Sequence, residues 1–125
     1  MAIIIGVLKE KQDKRVAITP DNIKRSKVKD AEWWIESGAG AEAGFADSAY
    51  SALAKEKSRN EILQQADVVL SVFSPEESEF SAVRKDALMI SQFRPYQDDT
   101  ILQKLSGQSF KVISMDMIPR TTLAQ

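Results

Sequence analysis

The sequence has 125 residues, of which 43% are hydrophobic and 28% charged, proportions that fit one soluble globular domain around a single core. A net charge of -1 provides no long-range attraction for nucleic acid or an anionic membrane surface, and no run of about 18 apolar residues exists to insert directly into a bilayer. With no cysteine and no histidine, disulfides and thiolate chemistry are excluded; the usual neutral-pH acid/base group and a histidine-ligated metal are removed as well.

Met1 to Leu8 carries no basic leader and no small-residue cleavage site, and reads as a strand rather than a signal peptide. Within it, Ile3 to Leu8 is a nearly continuous apolar run of the kind buried on both faces of a parallel sheet. A charged loop over Lys9 to Arg15 follows. Thr19 before Pro20 reads as an N-cap with proline at the first helical position, opening a helix over about Pro20 to Lys27. Ala31 to Ser37 is the second strand; its adjacent Trp33 and Trp34 should face opposite sides, one of them at a sheet edge or a subunit contact. Short helices are expected over Asp47 to Ala54 and Glu61 to Gln65. Val68 to Phe73 is the third strand, stopped by Pro75, and a weak helix covers Glu76 to Val83. Leu88 to Phe93 is the fourth strand. Asp98 to Leu105 is amphipathic, acidic at its N-terminus and followed by Gly107, and Phe110 to Met115 is the fifth strand. Strands alternating with helices imply an α/β fold with a parallel, doubly covered sheet of about five strands.

The glycines of Gly38-Ala39-Gly40-Ala41-Glu42-Ala43-Gly44 invite a dinucleotide-binding reading. In the fingerprint, the third glycine lets the following helix pack closely on the strand, and the phosphate sits at that helix N-terminus. Here the third glycine comes one residue late, Phe45-Ala46-Asp47 intervenes, and Glu42 would set a carboxylate beside a pyrophosphate. The stretch therefore reads as a tight turn using glycine's freedom at positive φ.

Five segments in order resemble the family of alanine dehydrogenases and the alpha subunits of proton-translocating transhydrogenases. They are Gly6-Val7-Leu8-Lys9-Glu10; Arg15-Val16-Ala17-Ile18-Thr19-Pro20; Glu36-Ser37-Gly38-Ala39-Gly40 with Gly44-Phe45-Ala46-Asp47; Ala66-Asp67-Val68-Val69-Leu70; and Asp116-Met117-Ile118-Pro119-Arg120-Thr121-Thr122-Leu123-Ala124-Gln125. The resemblance implies that residues 1–125 form the N-terminal catalytic-type domain, with a flavodoxin-like, doubly wound sheet and helices on both faces. It also implies that a separate Rossmann NAD-binding domain follows.

The two branches of the family make different chemical demands. Oxidising an amino acid needs a cation for the substrate carboxylate and a proton acceptor beside the hydride transfer. Alanine dehydrogenases are expected to supply an arginine in the first loop, a lysine after the third strand and a histidine after the fourth. Arg15 matches the first, as a residue for a substrate or other anion; Phe73 stands at the lysine's place and Arg94, beside Phe93, near the histidine's. Transhydrogenation instead passes hydride directly between two nicotinamides, a problem of proximity and orientation. The transhydrogenase pattern Asp-x-x-Pro-Arg-x-x-x-Ala-Gln is matched by Asp116, Pro119, Arg120, Ala124 and Gln125. By resemblance, Arg120 and Gln125 are the catalytic and cofactor-contacting residues at the NAD(H) nicotinamide, Asp116 is structural, and a family aspartate and serine lie beyond Gln125. The implied partners are an NADP(H)-binding component, a membrane proton-channel subunit and a second copy of the chain, with the protein cytoplasmic and peripheral to the inner membrane. The alternatives are the N-terminal domain of an alanine dehydrogenase and a non-catalytic interaction or regulatory domain. Lacking a phosphate cradle, residues 1–125 alone are expected to hold no cofactor tightly.

Overall fold

A computed structural model describes residues 3–10, 14–26, 30–73, 75, 77–92 and 110–114. Strands β1 (Ile3–Val7), β2 (Ala31–Glu36), β3 (Lys55–Lys57), β4 (Val68–Phe73), β5 (Leu88–Gln92) and β6 (Lys111–Ser114) form one sheet in the order β3-β2-β1-β4-β5-β6. Every pairing is parallel. The five apolar strands legible in the sequence run in flavodoxin order, and β3 adds a sixth at the edge beside β2.

The extra strand carries no apolar pattern because it is an edge. Lys55, Glu56 and Lys57 present charge to solvent, which discourages another chain from pairing there. The strand is tied to β2 by side chains as well: Lys55 pairs with Glu32, and the Lys57 ammonium lies 4.8 Å from the centre of the Trp34 ring. That Lys55 hydrogen bond is the main reason the Glu32 carboxyl sits below its usual range. β3 covers β2 only from Trp34 to Glu36, so Trp34 has a strand on each side, while Trp33 pairs with β1 alone and stands at the uncovered start of the β2 edge. The expected alternation does hold, with Trp34 buried in one cluster and half-buried Trp33 packed against the other.

The described residues form two core clusters rather than one, on opposite faces of the sheet. Helix α3 (Arg59–Gln65) presses Ile62, Leu63 and Ala66 onto Leu8, Trp34, Val69 and Met89. Helices α1 (Pro20–Arg25) and α2 (Asp47–Tyr50) set Ile23 and Tyr50 against Val7 and Ile35 on the other face. Gly6 is where α3 approaches β1; a Cβ there would run into the Ile62 side chain.

Helix ends follow local chemistry. Thr19 Oγ1 accepts from the Asn22 N–H at 3.3 Å, with Pro20 opening α1 as expected. Ser58 Oγ accepts from the Glu61 N–H and donates to Glu61 Oε1, an N-cap that starts α3 at Arg59, two residues before the sequence pattern suggested. Helix α2 ends at Tyr50, shorter than expected, and has no side-chain cap, because its N-cap position is Ala46; Asp47, the first helical residue, faces back to the preceding loop. The weak helix near Glu76 is a 3₁₀ segment over Glu77–Ala82. The amphipathic stretch Asp98 to Leu105 lies outside the described residues.

Candidate functional site

From β1 the chain passes to β2 and β3 on one side, then returns to β4 on the other side of β1. The carboxyl ends of β1 and β4 therefore flank the topological switch point, where open α/β sheets bind ligands. The first turn beyond β1 is held at both sides. Its Leu8 N–H donates to the Leu70 carbonyl at 3.0 Å. The Glu10 carboxylate, 9% exposed, accepts from the Val72 N–H at 2.8 Å and the Phe73 N–H at 3.0 Å.

Lys9 is gripped by its backbone. Its N–H donates to Glu36 Oε1 at 2.8 Å, while its carbonyl accepts from Arg59 Nη1 at 3.0 Å. Arg59 also donates to Glu36 Oε1 at 2.9 Å and forks onto both oxygens of Glu79, with Nη2 to Oε1 at 3.2 Å and Nε to Oε2. Burial alone would lower the Arg59 pKa, but the Glu79 hydrogen bond and the charges of Glu36 and Glu79 outweigh it, and the net shift is upward. Beside this network lies an open cleft of about 380 Å³ lined by Lys9, Glu10, Glu36, Glu42 and Arg59. Its three carboxylates make it a poor receptor for a phosphate.

The structure brings Arg15 and Phe73 together: the Arg15 guanidinium carbon stands 5.3 Å from the centre of the Phe73 ring. Toward the carboxyl ends of β4 and β5, the buried Ser71 and Ser91 hydroxyls bond each other.

The glycine loop after β2 is built differently. Gly38 and Gly44 adopt φ of 77° and 94°, the left-handed region. The N–H groups of Ala41, Ala43 and Gly44 donate to carbonyls within the loop, and that of Ala39 to the Glu36 carbonyl. The Gly38 N–H donates to Asp47 Oδ1 at 2.8 Å, with Ser37 Oγ on the other Asp47 oxygen at 3.4 Å. The stretch is thus a tight turn with glycines at positive φ, as the sequence reading expects, and Asp47 closes it by accepting from the Gly38 N–H.

The family described as "Alanine dehydrogenase/PNT, N-terminal domain" matches residues 6–125. This chain belongs to that family. The relatives it matches carry names from both branches. It is 37% identical over 113 residues to an NAD(P) transhydrogenase subunit alpha of Cereibacter sphaeroides, covering 89% of this chain and 22% of that protein. It is 27% identical over 125 residues to alanine dehydrogenase 1 of Staphylococcus aureus, covering 98% of this chain and 34% of that protein. Among solved structures, a transhydrogenase from Sinorhizobium meliloti superposes with a TM-score of 0.87 at 29% identity, over 98% of this chain and 37% of the other. An L-alanine dehydrogenase superposes with a TM-score of 0.79 at 25% identity, over 90% and 32%. The chain therefore spans about a quarter to a third of the length of these curated relatives.

Of the family residues named from the sequence, Arg15 and Phe73 meet at the switch-point crevice. Phe93, Arg94, Asp116, Pro119, Arg120 and Gln125 lie outside the described residues. The strand before the closing run, β6, has its carboxyl end on the same edge of the sheet as those of β1 and β4, since all pairings are parallel. Sequence reasoning assigned no role to Glu10, Glu36, Arg59 and Glu79. Glu10 ends the first family-like segment and Glu36 begins the third, a signal that was there to follow; Arg59 and Glu79 had none. No helix of the described residues is long and apolar enough to cross a membrane.

Proposed function

We propose that the chain is part of the NAD(H)-binding component of a proton-translocating NAD(P) transhydrogenase, in which hydride passes directly between NAD(H) and NADP(H). The observation that carries this reading is the Arg15–Phe73 contact. An amino-acid dehydrogenase would need a second basic group and a proton acceptor at this crevice. Here the cation rests on an aromatic ring, and the chain has no histidine. Direct transfer asks only that two nicotinamides be aligned and kept from water, which such a crevice can serve. The higher identity to a transhydrogenase subunit alpha than to an alanine dehydrogenase, 37% against 27%, supports the same branch.

The glycine loop is poorly suited to the pyrophosphate of a dinucleotide, because the N–H groups of Ala39, Ala41, Ala43 and Gly44 go to backbone carbonyls and that of Gly38 to Asp47. In this proposal a Rossmann domain beyond residue 125 holds the phosphates. Arg120 and Gln125 then contact the nicotinamide end and orient it. Two strand spacings separate β6 from β4, roughly 10 Å, well within reach of the run that contains Arg120 and Gln125. The partners would be an NADP(H)-binding component, a membrane proton-channel subunit and a second copy of the chain, with this component on the cytoplasmic face of the inner membrane.

The test uses the full-length protein mixed with its NADP(H)-binding partner. NADH-dependent reduction of an NADP analogue is expected, falling about a hundredfold in Arg120→Ala through lost alignment. Reductive amination of pyruvate by the full-length protein, without transhydrogenation, would overturn the proposal in favour of alanine dehydrogenase. Neither activity would leave an interaction or regulatory domain.

A further inference from the structure

In a regular strand, successive N–H groups point to opposite neighbours. At the end of β4 they do not: the Val72 and Phe73 N–H groups both reach the carboxylate of Glu10, one oxygen each. The ladder shows how. Leu70 pairs with Ile90, but the next registered pair is Phe73 with Gln92, so β4 takes three steps where β5 takes two. The extra residue is a bulge of the kind that re-aims a side chain next to a site, and it turns two consecutive N–H groups into a concavity suited to an anion.

Glu10 fills that concavity from a distance of 62 and 63 residues along the chain, and it is buried there. Its own backbone is fixed through its neighbour Lys9, whose N–H and carbonyl are bonded to Glu36 and Arg59. Phe73 is both the last residue of β4 and one of the two N–H donors, and its ring carries the Arg15 guanidinium. We propose that Glu10 is a positioning residue: by gathering the Val72 and Phe73 N–H groups across the bulge, it sets the Phe73 ring beneath Arg15 and so fixes where the crevice presents its cation. The geometric part stands without any nucleotide; only its consequence for hydride transfer rests on the function proposed above.

The experiment is proton–nitrogen NMR of the chain without ligand, comparing wild type with Glu10→Gln and Glu10→Ala, and with Phe73→Leu to define the zero of the ring-current effect on Arg15. In Glu10→Ala both amides are expected to exchange about tenfold faster or more, and the upfield shift of the Arg15 side chain should fall to the Phe73→Leu value. Glu10→Gln keeps one acceptor oxygen, so one amide should stay protected and part of the Arg15 shift should survive. Should Glu10→Ala not fold, the Gln variant decides alone. An Arg15 shift equal to wild type in a folded Glu10 variant whose Val72 and Phe73 amides have lost protection would overturn the proposal, as would both amides staying protected. Neither result bears on the transhydrogenase reading, which is tested by turnover.

Discussion

The segments that follow β1 and β2 leave neighbouring parallel strands at the same edge of the sheet, and each contains the kind of residue that binds anions. They use their backbones in opposite ways. After β2, glycines let the chain fold on itself: the N–H groups of Ala39, Ala41, Ala43, Gly44 and Phe45 end on nearby carbonyls and that of Gly38 on Asp47. After β1, side chains reach outward: Glu10 takes hydrogen bonds from β4, while Glu36 and Arg59 hold the Lys9 backbone from β2 and α3. The lesson concerns accounting. Whether a glycine-rich turn can cradle a phosphate depends on which N–H groups remain to be satisfied, and the spacing of glycines does not reveal that.

Removing the anchor of the outward-reaching segment should have the largest effect. Arg59→Ala strips the partner from Glu36 and Glu79, each with side-chain exposure below a fifth. It should cost about 3 kcal/mol, the low end for a broken buried pair because some water reaches the site; denaturant unfolding would measure it. A loss under about 1 kcal/mol would mean that the segment is held by other means. In the inward-folded loop, Asp47→Ala removes a charged acceptor from Gly38 N–H and should cost about 1.5 kcal/mol. It should also leave the chain unable to bind inorganic pyrophosphate, since the N–H groups of Ala39, Ala41, Ala43 and Gly44 stay internally bonded. Calorimetric binding of pyrophosphate by this variant would erase the contrast between the two segments.

Tyr50 joins the two regions and supplies the smallest of these effects. Its ring meets Phe45 of the glycine loop edge-on, with centroids 6.5 Å apart. Its hydroxyl donates to the Ile18 carbonyl, three residues beyond Arg15, at 2.9 Å. Burial raises its pKa above the ordinary 10.0, so the folded chain keeps the phenolic proton more tightly than the unfolded one. That contribution is fully present below the unfolded pKa and is lost as pH rises through the folded one. Tyr50→Phe should cost about 1 kcal/mol at neutral pH and flatten the decline of stability above about pH 10. An unchanged alkaline decline in that variant would assign it to other groups.

Much of the fold was readable because it rests on local rules. Continuous apolar runs gave the five strands, and Thr19 with Pro20 marked the start of α1. What escaped was set by position in the sheet. Lys55-Glu56-Lys57 has no strand pattern because an edge selects charge over alternation. Asp47 looks like a helix start, yet its partner is an N–H nine residues earlier. At the site, Arg15 and Phe73 were singled out separately, and only the pairing of β1 with β4 explains why they touch. The Glu10 contacts could not be foreseen from spacing, since they span more than sixty residues.

The central place of β1 also has a consequence in time. Ile5 pairs on one side with Trp33 and on the other with Val68. A ribosome adding roughly 5–20 residues per second delivers the second partner several seconds after the first. Throughout that interval, one flank of an apolar strand has no neighbour, so the nascent chain passes through a stage when its future interior is open to whatever else is nearby.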